Sequence, residues 1–195
     1  MIKIKQGKKY LITGGAGFLG GELIDRILQQ GGDVVTVSRN EGKLIELKSK
    51  YKDSKLDIHT GDICDDFTLA ETQGRECIKS NVIGSMNVLE EAVKNDVEFV
   101  VGISTDKAAQ VTGTYGATKY LMERMFTQFE LDYPKTKFRI VRYGNVLYST
   151  GSVLCIWKDR LEKGEEIIVT DPEATRYFWT LNQAVDLIFD CMENA

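Results

Sequence analysis

A tyrosine and a lysine stand four residues apart in the segment YGATK, which runs from Tyr115 to Lys119. The apolar spacing that follows is helical, and residues four apart lie on one face of a helix. An ammonium group beside a phenol favours the phenolate, so Tyr115 could exchange a proton with a substrate hydroxyl near neutral pH. The same spacing occurs by chance in many helices, so this interpretation depends on the surrounding elements.

A carboxylate and an amine precede this helix in the segment Thr105-Asp106-Lys107. They end a run with strand character, Glu98 to Thr105, and open α/β sheets bind ligands at the carboxyl ends of their strands. Side by side at such an edge, Asp106 and Lys107 offer one acid and one base to the same substrate. The alternative is a polar strand cap with a surface ion pair.

A glycine-rich turn, TGGAGFLG, occupies residues 13–20 between a strand at Tyr10 to Thr13 and a helix. Glycines at this spacing let the backbone approach a pyrophosphate, which the helix N-terminus attracts. The context predicts a nicotinamide dinucleotide, and the alternative is merely a tight turn. The predicted cofactor contacts here are Gly14, Gly17, Phe18, Leu19 and Gly20. We expect Tyr115 and Lys119 to contact the cofactor as well.

The second strand ends in Ser38 and Arg39, without the acidic residue that commonly binds the ribose 2′-hydroxyl of NAD. A hydroxyl and a guanidinium suit a 2′-phosphate, so we expect NADP, with NAD as the alternative. Arg39 could equally be a solvated surface residue. Asp62 and Ile63 follow the third strand, where the carboxylate could reach the adenine amino group or simply belong to a turn.

Runs with strand character alternate with helical periodicity along the chain. The strand runs are Tyr10 to Thr13, Val34 to Ser38, Leu56 to Thr60, Glu98 to Thr105, Phe138 to Val146 and Glu166 to Thr170. This order predicts an α/β fold with a doubly wound parallel sheet, the NAD(P)-binding Rossmann fold. Between Asp62 and Ile78, however, there is no room for a crossover helix and a further strand. One central strand segment is therefore missing near Phe67 and Thr68. Either this is a real deletion and the first strand pairs directly with Glu98 to Thr105, or the centre of the sheet is occupied by residues that this sequence does not include.

The composition is that of one globular domain, since 43% of the 195 residues are hydrophobic and 28% are charged. The net charge of -4 lacks the basic excess of nucleic-acid-binding proteins, so we expect no nucleic-acid partner. The scattered cysteines predict reduced thiols, no metal site and a cytoplasmic location. No apolar run reaches membrane-spanning length, so we also expect no membrane partner.

Together, TGGAGFLG, STDKA and YGATK make this chain resemble an extended short-chain dehydrogenase/reductase. Within that group it is most similar to the inverting UDP-N-acetylglucosamine 4,6-dehydratases of the polysaccharide-biosynthesis type. The similarity includes VRYGNVLYSTGSV and ATRYFWTLNQAVDLI. Epimerases usually carry a serine-rich segment where this chain has Asp106 and Lys107. The resemblance implies one Rossmann-type domain over residues 1–195 that begins a substrate-binding region after about residue 145 and lacks the family's C-terminal substrate region.

The resemblance also implies an internal redox cycle on a UDP-sugar. Hydride leaves C4, a base removes the C5 proton, the C6 hydroxyl departs, and the hydride returns to C6. Carried onto this chain, Tyr115 with Lys119 serves the oxidation at C4. Asp106 protonates the departing hydroxyl, and Lys107 takes the C5 proton. The positions that match substrate contacts are Thr105, Asn145 and Arg176, with the arginine suited to the UDP phosphates.

We expect a homo-oligomer that binds a UDP-sugar. Two alternatives remain. A UDP-hexose 4-epimerase or reductase of the same fold would share Tyr115 and Lys119 but would not need Asp106 and Lys107. A shortened, inactive protein would bind NADP without turning over a sugar nucleotide.

Overall fold

Helices and parallel strands alternate along the computed structural model, which describes residues 4–5, 7–51, 55–63, 73–150, 152–169 and 171–194. The strands are β1 (Lys9–Thr13), β2 (Asp33–Ser38), β3 (Leu56–Thr60), β4 (Phe99–Thr105), β5 (Lys137–Tyr143), β6 (Asn145–Val146) and β7 (Phe178–Trp179). The helices are α1 (Phe18–Gln29), α2 (Glu41–Lys50), α3 (Gln73–Ile78), α4 (Gly84–Lys94), α5 (Thr114–Asp132), α6 (Val153–Glu162) and α7 (Leu181–Glu193). A π-helical turn, Lys79–Ile83, joins α3 to α4, and a 3₁₀ turn, Asp106–Ala108, follows β4. Across these ranges, none of the helices is both long and apolar enough to cross a membrane.

The first three strands form one parallel sheet in the order β1-β2-β3. Its register pairs Leu11 with Val35, and Val35 in turn with Asp57. Helix α1 packs on this sheet through Ile24 and Ile27, which share a hydrophobic core with β2 and β3. The parallel α/β architecture expected from the sequence is therefore confirmed.

Strands β4 and β5 form a second parallel sheet, with Thr105 opposite Tyr143 at its carboxyl end. Helix α5 covers this sheet and contributes Met122 and Phe126 to a separate hydrophobic core. The ring of Phe126 meets that of Phe138 edge-on, with 6.2 Å between centroids. Because the last residues of β4 and β5 are paired, the segments that follow both strands emerge side by side at one edge.

The strand expected from Phe138 to Val146 is interrupted at Gly144. Strand β5 ends at Tyr143, and Asn145–Val146 form β6, which pairs with β7. A Cβ at Gly144 would lie 2.4 Å from the carbonyl oxygen of Tyr177, so the glycine lets that backbone approach closely. The N–H of Asn145 donates to the same carbonyl at 2.9 Å. The chain is thereby redirected from one sheet to another.

The strand expected from Glu166 to Thr170 was a wrong prediction over residues 166–169, which have no regular structure, and Thr170 lies outside the described residues. Ile168 and Val169 are exposed. Their β-branched character predicts a strand, but a strand also needs a neighbour to pair with. The partner that β6 finds is β7, further along the chain.

No backbone ladder joins the two main sheets within the described residues, where β1 pairs with β2 and β4 with β5. The expected alternative in which the first strand pairs with the strand run Glu98 to Thr105 is therefore wrong. Leu11 on β1 is 62% exposed, although helices normally cover both faces of a doubly wound sheet. Residues 64–72, including the Phe67-Thr68 junction, lie outside the described residues.

Helix α7 contacts both halves of the molecule, touching α1 on one side and β4 and β5 on the other. It begins with a capping box, in which the Thr180 side chain accepts from the N–H of Gln183 and the Gln183 side chain accepts from the N–H of Thr180. Its buried face adds Val185 and Phe189 to the core beneath the first sheet. The helix thus holds together two sheets that share no backbone ladder within the described ranges.

Candidate active site

The glycine-rich turn connects β1 to α1 through tightly packed backbone. Gly14 has a φ of +71°, in the left-handed region that favours glycine. Its N–H donates to the carbonyl of Val37 at 2.7 Å, and its own carbonyl accepts from the N–H of Gly17 at 2.9 Å. A Cβ at Gly20 would lie 2.5 Å from the Gly14 carbonyl oxygen and 2.7 Å from the Cα of Gly15. A glycine is therefore required for α1 to pack this closely on the turn.

The N-terminus of α1 fits an anion. Its N-cap residue, Gly17, has no side chain to accept from the first N–H groups, and the first turn carries no acidic residue. Such N–H groups and the positive end of the helix dipole attract phosphates. Phe18 and Leu19 begin the helix. The glycine turn therefore has the shape and charge that the pyrophosphate of a dinucleotide requires.

We expect Gly20→Ala to weaken both the fold and dinucleotide binding, because the added methyl group collides with the backbone of Gly14 and Gly15. Overpacking of this kind lowers the free energy of unfolding by about 1–3 kcal/mol. Gly21→Ala is the matched control, since its Cβ meets only the Gly15 carbonyl oxygen, at 3.9 Å. Urea unfolding and titration with NADP measure both effects. Equal stability and equal affinity of the two variants would contradict the close packing of this turn.

The ends of β2 and β3 bring together the other residues predicted to contact the cofactor. Ser38 ends β2 beside the last residue of β3, and the chain continues into Arg39. Nη1 of Arg39 lies 3.9 Å from a carboxylate oxygen of Asp62. The carbonyl of Ile63 accepts from the side-chain amide of Asn87 on α4 at 2.7 Å. These residues lie at the same sheet edge as the glycine turn.

Helix α5 presents Tyr115 in its first turn, with the side chain 43% exposed. The next residue, Gly116, permits a close approach, because a Cβ there would lie 2.4 Å from the carbonyl oxygen of Lys107. The 3₁₀ turn after β4 therefore packs directly against the start of α5. This contact brings Tyr115 next to the acidic and basic pair that the sequence singled out.

Lys119 lies one turn after Tyr115 on α5, and its ammonium group donates to the carbonyl of Ile103 on β4 at 2.9 Å. Burial lowers the pKa of Lys119, although nearby acidic groups oppose the effect. Burial raises the pKa of Tyr115, and Cys77 and Asp106 raise it further. The ammonium group is held by a backbone carbonyl in this arrangement, and the expectation that Lys119 favours the phenolate of Tyr115 stays a prediction.

Four residues predicted for catalysis and substrate binding are linked by polar contacts at the end of β4; we call Thr105, Asp106, Lys107 and Asn145 the strand-end group. The Thr105 hydroxyl donates to Oδ1 of Asp106 at 2.9 Å. Nζ of Lys107 lies 3.4 Å from the same oxygen and donates to Oδ1 of Asn145 at 3.2 Å. The side chains of Asp106 and Lys107 are 32% and 46% exposed. Both groups thus remain accessible to a substrate.

A cleft of about 480 Å³ lies between the start of α1, the ends of β4 and β5, and α6. Its volume is typical of small-molecule sites. The predicted site residues that line it are Phe18, Leu19, Thr105, Lys107, Tyr115, Lys119 and Asn145. The start of α1, three members of the strand-end group and the start of α5 therefore face the same space, whereas Asp106, Gly14, Gly17 and Gly20 are not among the described residues that line it.

Arg176 is a predicted substrate contact that the structure leaves apart from this cleft. Its guanidinium is exposed and donates to the neighbouring carbonyl of Thr175 at 2.6 Å. The described residues that line the cleft do not include it. Its contact with UDP phosphates stays a prediction.

Tyr143 and Ser152 are two of the cleft residues that the sequence analysis did not predict. Tyr143 ends β5, and burial together with the neighbouring Tyr115 raises its pKa to about 12. Its place at the end of a strand was a usable signal. Ser152 is the N-cap residue of α6 but makes no cap hydrogen bond, and its buried Oγ has no partner within the described part of the chain. In the sequence alone, nothing distinguishes it from an ordinary helix cap.

The π-helical turn between α3 and α4 supports the start of α5 from behind. The side-chain amide of Asn81, inside this turn, donates to the Thr118 hydroxyl at 3.1 Å. That hydroxyl donates to the carbonyl of Tyr115 at 2.9 Å. Such turns are frequent at functional sites. The sequence periodicity there is that of a regular helix, so the turn could not have been predicted.

Comparison with known protein families gives two matches along the chain. Residues 64–195 match the family described as polysaccharide biosynthesis protein, and residues 11–75 match the family described as GDP-mannose 4,6 dehydratase. The first match covers more than half of the chain. The two matches confirm the resemblance to the extended short-chain dehydrogenases/reductases.

Curated relatives extend this result. The uncharacterized membrane protein MJ1061 of Methanocaldococcus jannaschii is 34% identical over 93% of this chain and 62% of its own length. The UDP-N-acetylglucosamine 4,6-dehydratase (inverting) of Campylobacter jejuni is 30% identical over 96% of this chain and 64% of its own. The UDP-glucose 4-epimerase of Rickettsia prowazekii is 31% identical over 96% and 63%. This chain thus spans less than two thirds of the length of these relatives.

Among solved structures, Pen from Bacillus thuringiensis matches with a TM-score of 0.88 at 30% identity, over 98% of this chain and 66% of that chain. The sequence alignment with the C. jejuni dehydratase runs over 213 residues, more than the 195 residues of this chain. The relative therefore carries residues that have no counterpart here, which agrees with the short connection noted between Asp62 and Ile78.

Proposed function

Since this chain belongs to the polysaccharide biosynthesis protein family, we propose that it carries the catalytic residues of an NADP-dependent UDP-N-acetylglucosamine 4,6-dehydratase. The product is a UDP-4-keto-6-deoxy-hexose for polysaccharide or glycan biosynthesis. One observation carries the proposal: Thr105, Lys107 and Asn145 share a cleft with Tyr115 and the start of α1, and the carboxylate of Asp106 lies 3.4 Å from Nζ of Lys107. An oxidation or epimerisation at C4 alone requires Tyr115 but does not require a second acid–base pair such as Asp106 and Lys107.

The elimination of water requires proton transfers at three positioned side chains. Tyr115 accepts the proton of the C4 hydroxyl as C4 becomes a ketone, and the ketone acidifies the proton at C5. Lys107 removes that proton, and Asp106 protonates the C6 hydroxyl, which departs as water. A nicotinamide dinucleotide held at the glycine turn and the start of α1 would supply the hydride chemistry between C4 and C6. A proton then returns to C5, so the net change is the loss of one water.

The start of α6 supports a site for the substrate's diphosphate. The Ser152 hydroxyl is buried, unpartnered within the described residues and not used to cap the helix. Ser149 and Thr150 line the same cleft, close to Asn145. Free N–H groups at a helix N-terminus attract anions. We therefore assign the sugar to the space between Tyr115 and Asn145 and the diphosphate to the start of α6.

Three further expectations are kept as proposals. The residues after about 145 begin the substrate-binding region, which the cleft positions of Asn145 and Ser152 support. The protein works in the cytoplasm with reduced cysteines. It assembles as a homo-oligomer.

Arg39→Asp is expected to shift the cofactor preference from NADP towards NAD. The Arg39 side chain is 66% exposed, and its two carboxylate contacts, to Asp62 and Glu76, are long at 3.9 Å. The guanidinium can therefore bind the 2′-phosphate of NADP. An aspartate at this position would repel that phosphate but could accept a hydrogen bond from the ribose 2′-hydroxyl of NAD. Affinities for both cofactors measure the change, and Arg124→Asp on the exposed face of α5 controls for net charge. If the unmodified protein binds NADP and NAD with equal affinity, and Arg39→Asp changes neither affinity, Arg39 does not determine the cofactor preference.

Incubation of the protein with UDP-N-acetylglucosamine and NADP, followed by NMR, tests the proposed reaction. A 4-keto-6-deoxy product is expected. A C4 epimer would favour a second candidate, a UDP-hexose 4-epimerase, whose support is the Rickettsia prowazekii relative. Cofactor binding without turnover would favour a shortened NADP-binding protein, whose support is the missing ladder between β1 and β4 in the described ranges.

A further inference from the structure

A buried carboxylate joins α5 to the ends of β4 and β5, three elements that contribute residues to the cleft. Glu123 on α5 is only 6% exposed. It accepts from the Ser104 hydroxyl at 2.5 Å and from Nε of Arg142 at 2.7 Å, and Nη2 of Arg142 contacts its second oxygen. Ser104 directly precedes Thr105 on β4, and Arg142 directly precedes Tyr143 on β5. One side chain thus connects α5 to the last residues of both strands.

Glu123 is ionised in this position. Burial raises the pKa of Glu123, but the hydrogen bonds from Arg142 and Ser104 and the charge of Lys119 outweigh burial and bring the pKa below its usual range. Burying a charge costs free energy unless hydrogen bonds and an opposite charge compensate it. Here both are present, and they hold the carboxylate in one orientation.

Lys119 is the cation that faces this carboxylate from one turn earlier on the same helix. Its Nζ is fixed on the Ile103 carbonyl at 2.9 Å. Burial lowers the pKa of Lys119, whereas electrostatic interactions with Cys77 and Glu123 raise it. Further titratable groups among the described residues are Tyr120, which interacts with Arg142, and Tyr115, which interacts with Cys77, Asp106 and Tyr143.

The same helix and strand carry a second glutamate–arginine pair that serves as a comparison. Glu130 contacts Arg139, and their side chains are 36% and 38% exposed. This pair lies towards the amino end of β5, whereas the cleft is at its carboxyl end. The two arginines are similarly exposed, and the two pairs differ in the carboxylate, which is buried for Glu123 and partly exposed for Glu130.

We propose that Glu123 is a positioning residue, which holds the ends of β4 and β5 against α5 and so fixes the Ile103 carbonyl on which the half-buried Lys119 is held. The effect of Glu123 on catalysis rests on the proposed function, because Lys119 affects turnover only if Tyr115 and Lys119 perform the oxidation. Its effect on Lys119 does not depend on any reaction.

Glu123→Gln tests this role at nearly constant size, since the amide oxygen can still accept from Ser104. NMR titration of isotopically labelled lysine side chains, with Lys119 assigned from a Lys119→Arg spectrum, should show its pKa lower by about one unit. Glu130→Gln is the matched control and should leave that pKa unchanged. The Arg142 side chain is 43% exposed, so the unpaired guanidinium stays hydrated and we expect the variant to fold.

Glu123→Asp, which draws the carboxylate back by one methylene, is expected to give a smaller fall in the pKa of Lys119. It keeps the test decisive if Glu123→Gln fails to fold. An unchanged Lys119 pKa in the folded variants would overturn the inference. The rate of dehydration should fall at alkaline pH as Lys119 loses its proton. For Glu123→Gln we expect this fall at a lower pH than for the unmodified protein, by the same amount as the change in the Lys119 pKa. A fall in the Lys119 pKa without dehydration by any form would instead leave the positioning role standing and remove the proposed function.

Discussion

Tyr115→Phe is expected to prevent the reduction of bound NADP when UDP-N-acetylglucosamine is added. The phenol is the side chain that exchanges a proton with the C4 hydroxyl, and a phenylalanine cannot accept that proton. Positioned proton transfer contributes about 10²- to 10⁴-fold to a rate, so the first-turnover rate of reduction should fall by that order. Stopped-flow absorbance of the reduced cofactor measures it.

Tyr133→Phe is the matched control for this substitution. Tyr133 follows the last residue of α5 and is 43% exposed, the same fraction as Tyr115 at its start, but it lies at the opposite end of the helix from the cleft. We expect this control to reduce the cofactor at the unmodified rate. Rapid reduction by Tyr115→Phe would show that another group accepts the C4 proton.

The double substitution Asp106→Asn/Lys107→Ala should separate elimination from oxidation. It removes the acid and the base of the strand-end group but leaves Tyr115 and the glycine turn in place. Bound NADP should still be reduced by substrate. Exchange of the C5 proton with solvent and loss of the C6 hydroxyl should each fall by about 10²- to 10⁴-fold. Proton NMR in deuterated water follows both.

The exposed ion pair of Glu91 and Lys94 on α4 provides a control of matched charge, as Glu91→Gln/Lys94→Ala. This variant should dehydrate the substrate normally. Dehydration at the unmodified rate by the Asp106→Asn/Lys107→Ala protein would make the assignment of these two residues wrong. The epimerase or reductase candidate would then rank above the dehydratase.

Local geometry explains which parts of the site could be predicted from the sequence. A glycine turn between a strand and a helix, and a tyrosine four residues before a lysine, depend only on spacing along the chain. The three strands of the first sheet and the start of β4 follow apolar runs within the chain and were predicted to within one residue. The same reasoning identified Asp106 and Lys107 through their place at the end of a strand.

Contacts between distant segments explain what could not be predicted. Gly144 interrupts the strand after Tyr143 because a backbone carbonyl more than thirty residues away packs against it. Gly116 fits against the carbonyl of Lys107 for a similar reason. The pKa of Tyr115 depends on burial and on Cys77, and neither follows from the spacing to Lys119. Such effects arise only when separate elements meet.

The transfer of deuterium from C4 to C6 of the sugar tests the central claim most directly. UDP-N-acetylglucosamine carrying deuterium at C4 is incubated with the protein and NADP, and the product is analysed by NMR and mass spectrometry. An internal redox cycle predicts a 4-keto-6-deoxy product with the deuterium in its C6 methyl group. Deuterium retained at C4 of an epimerised hexose would contradict the dehydratase account.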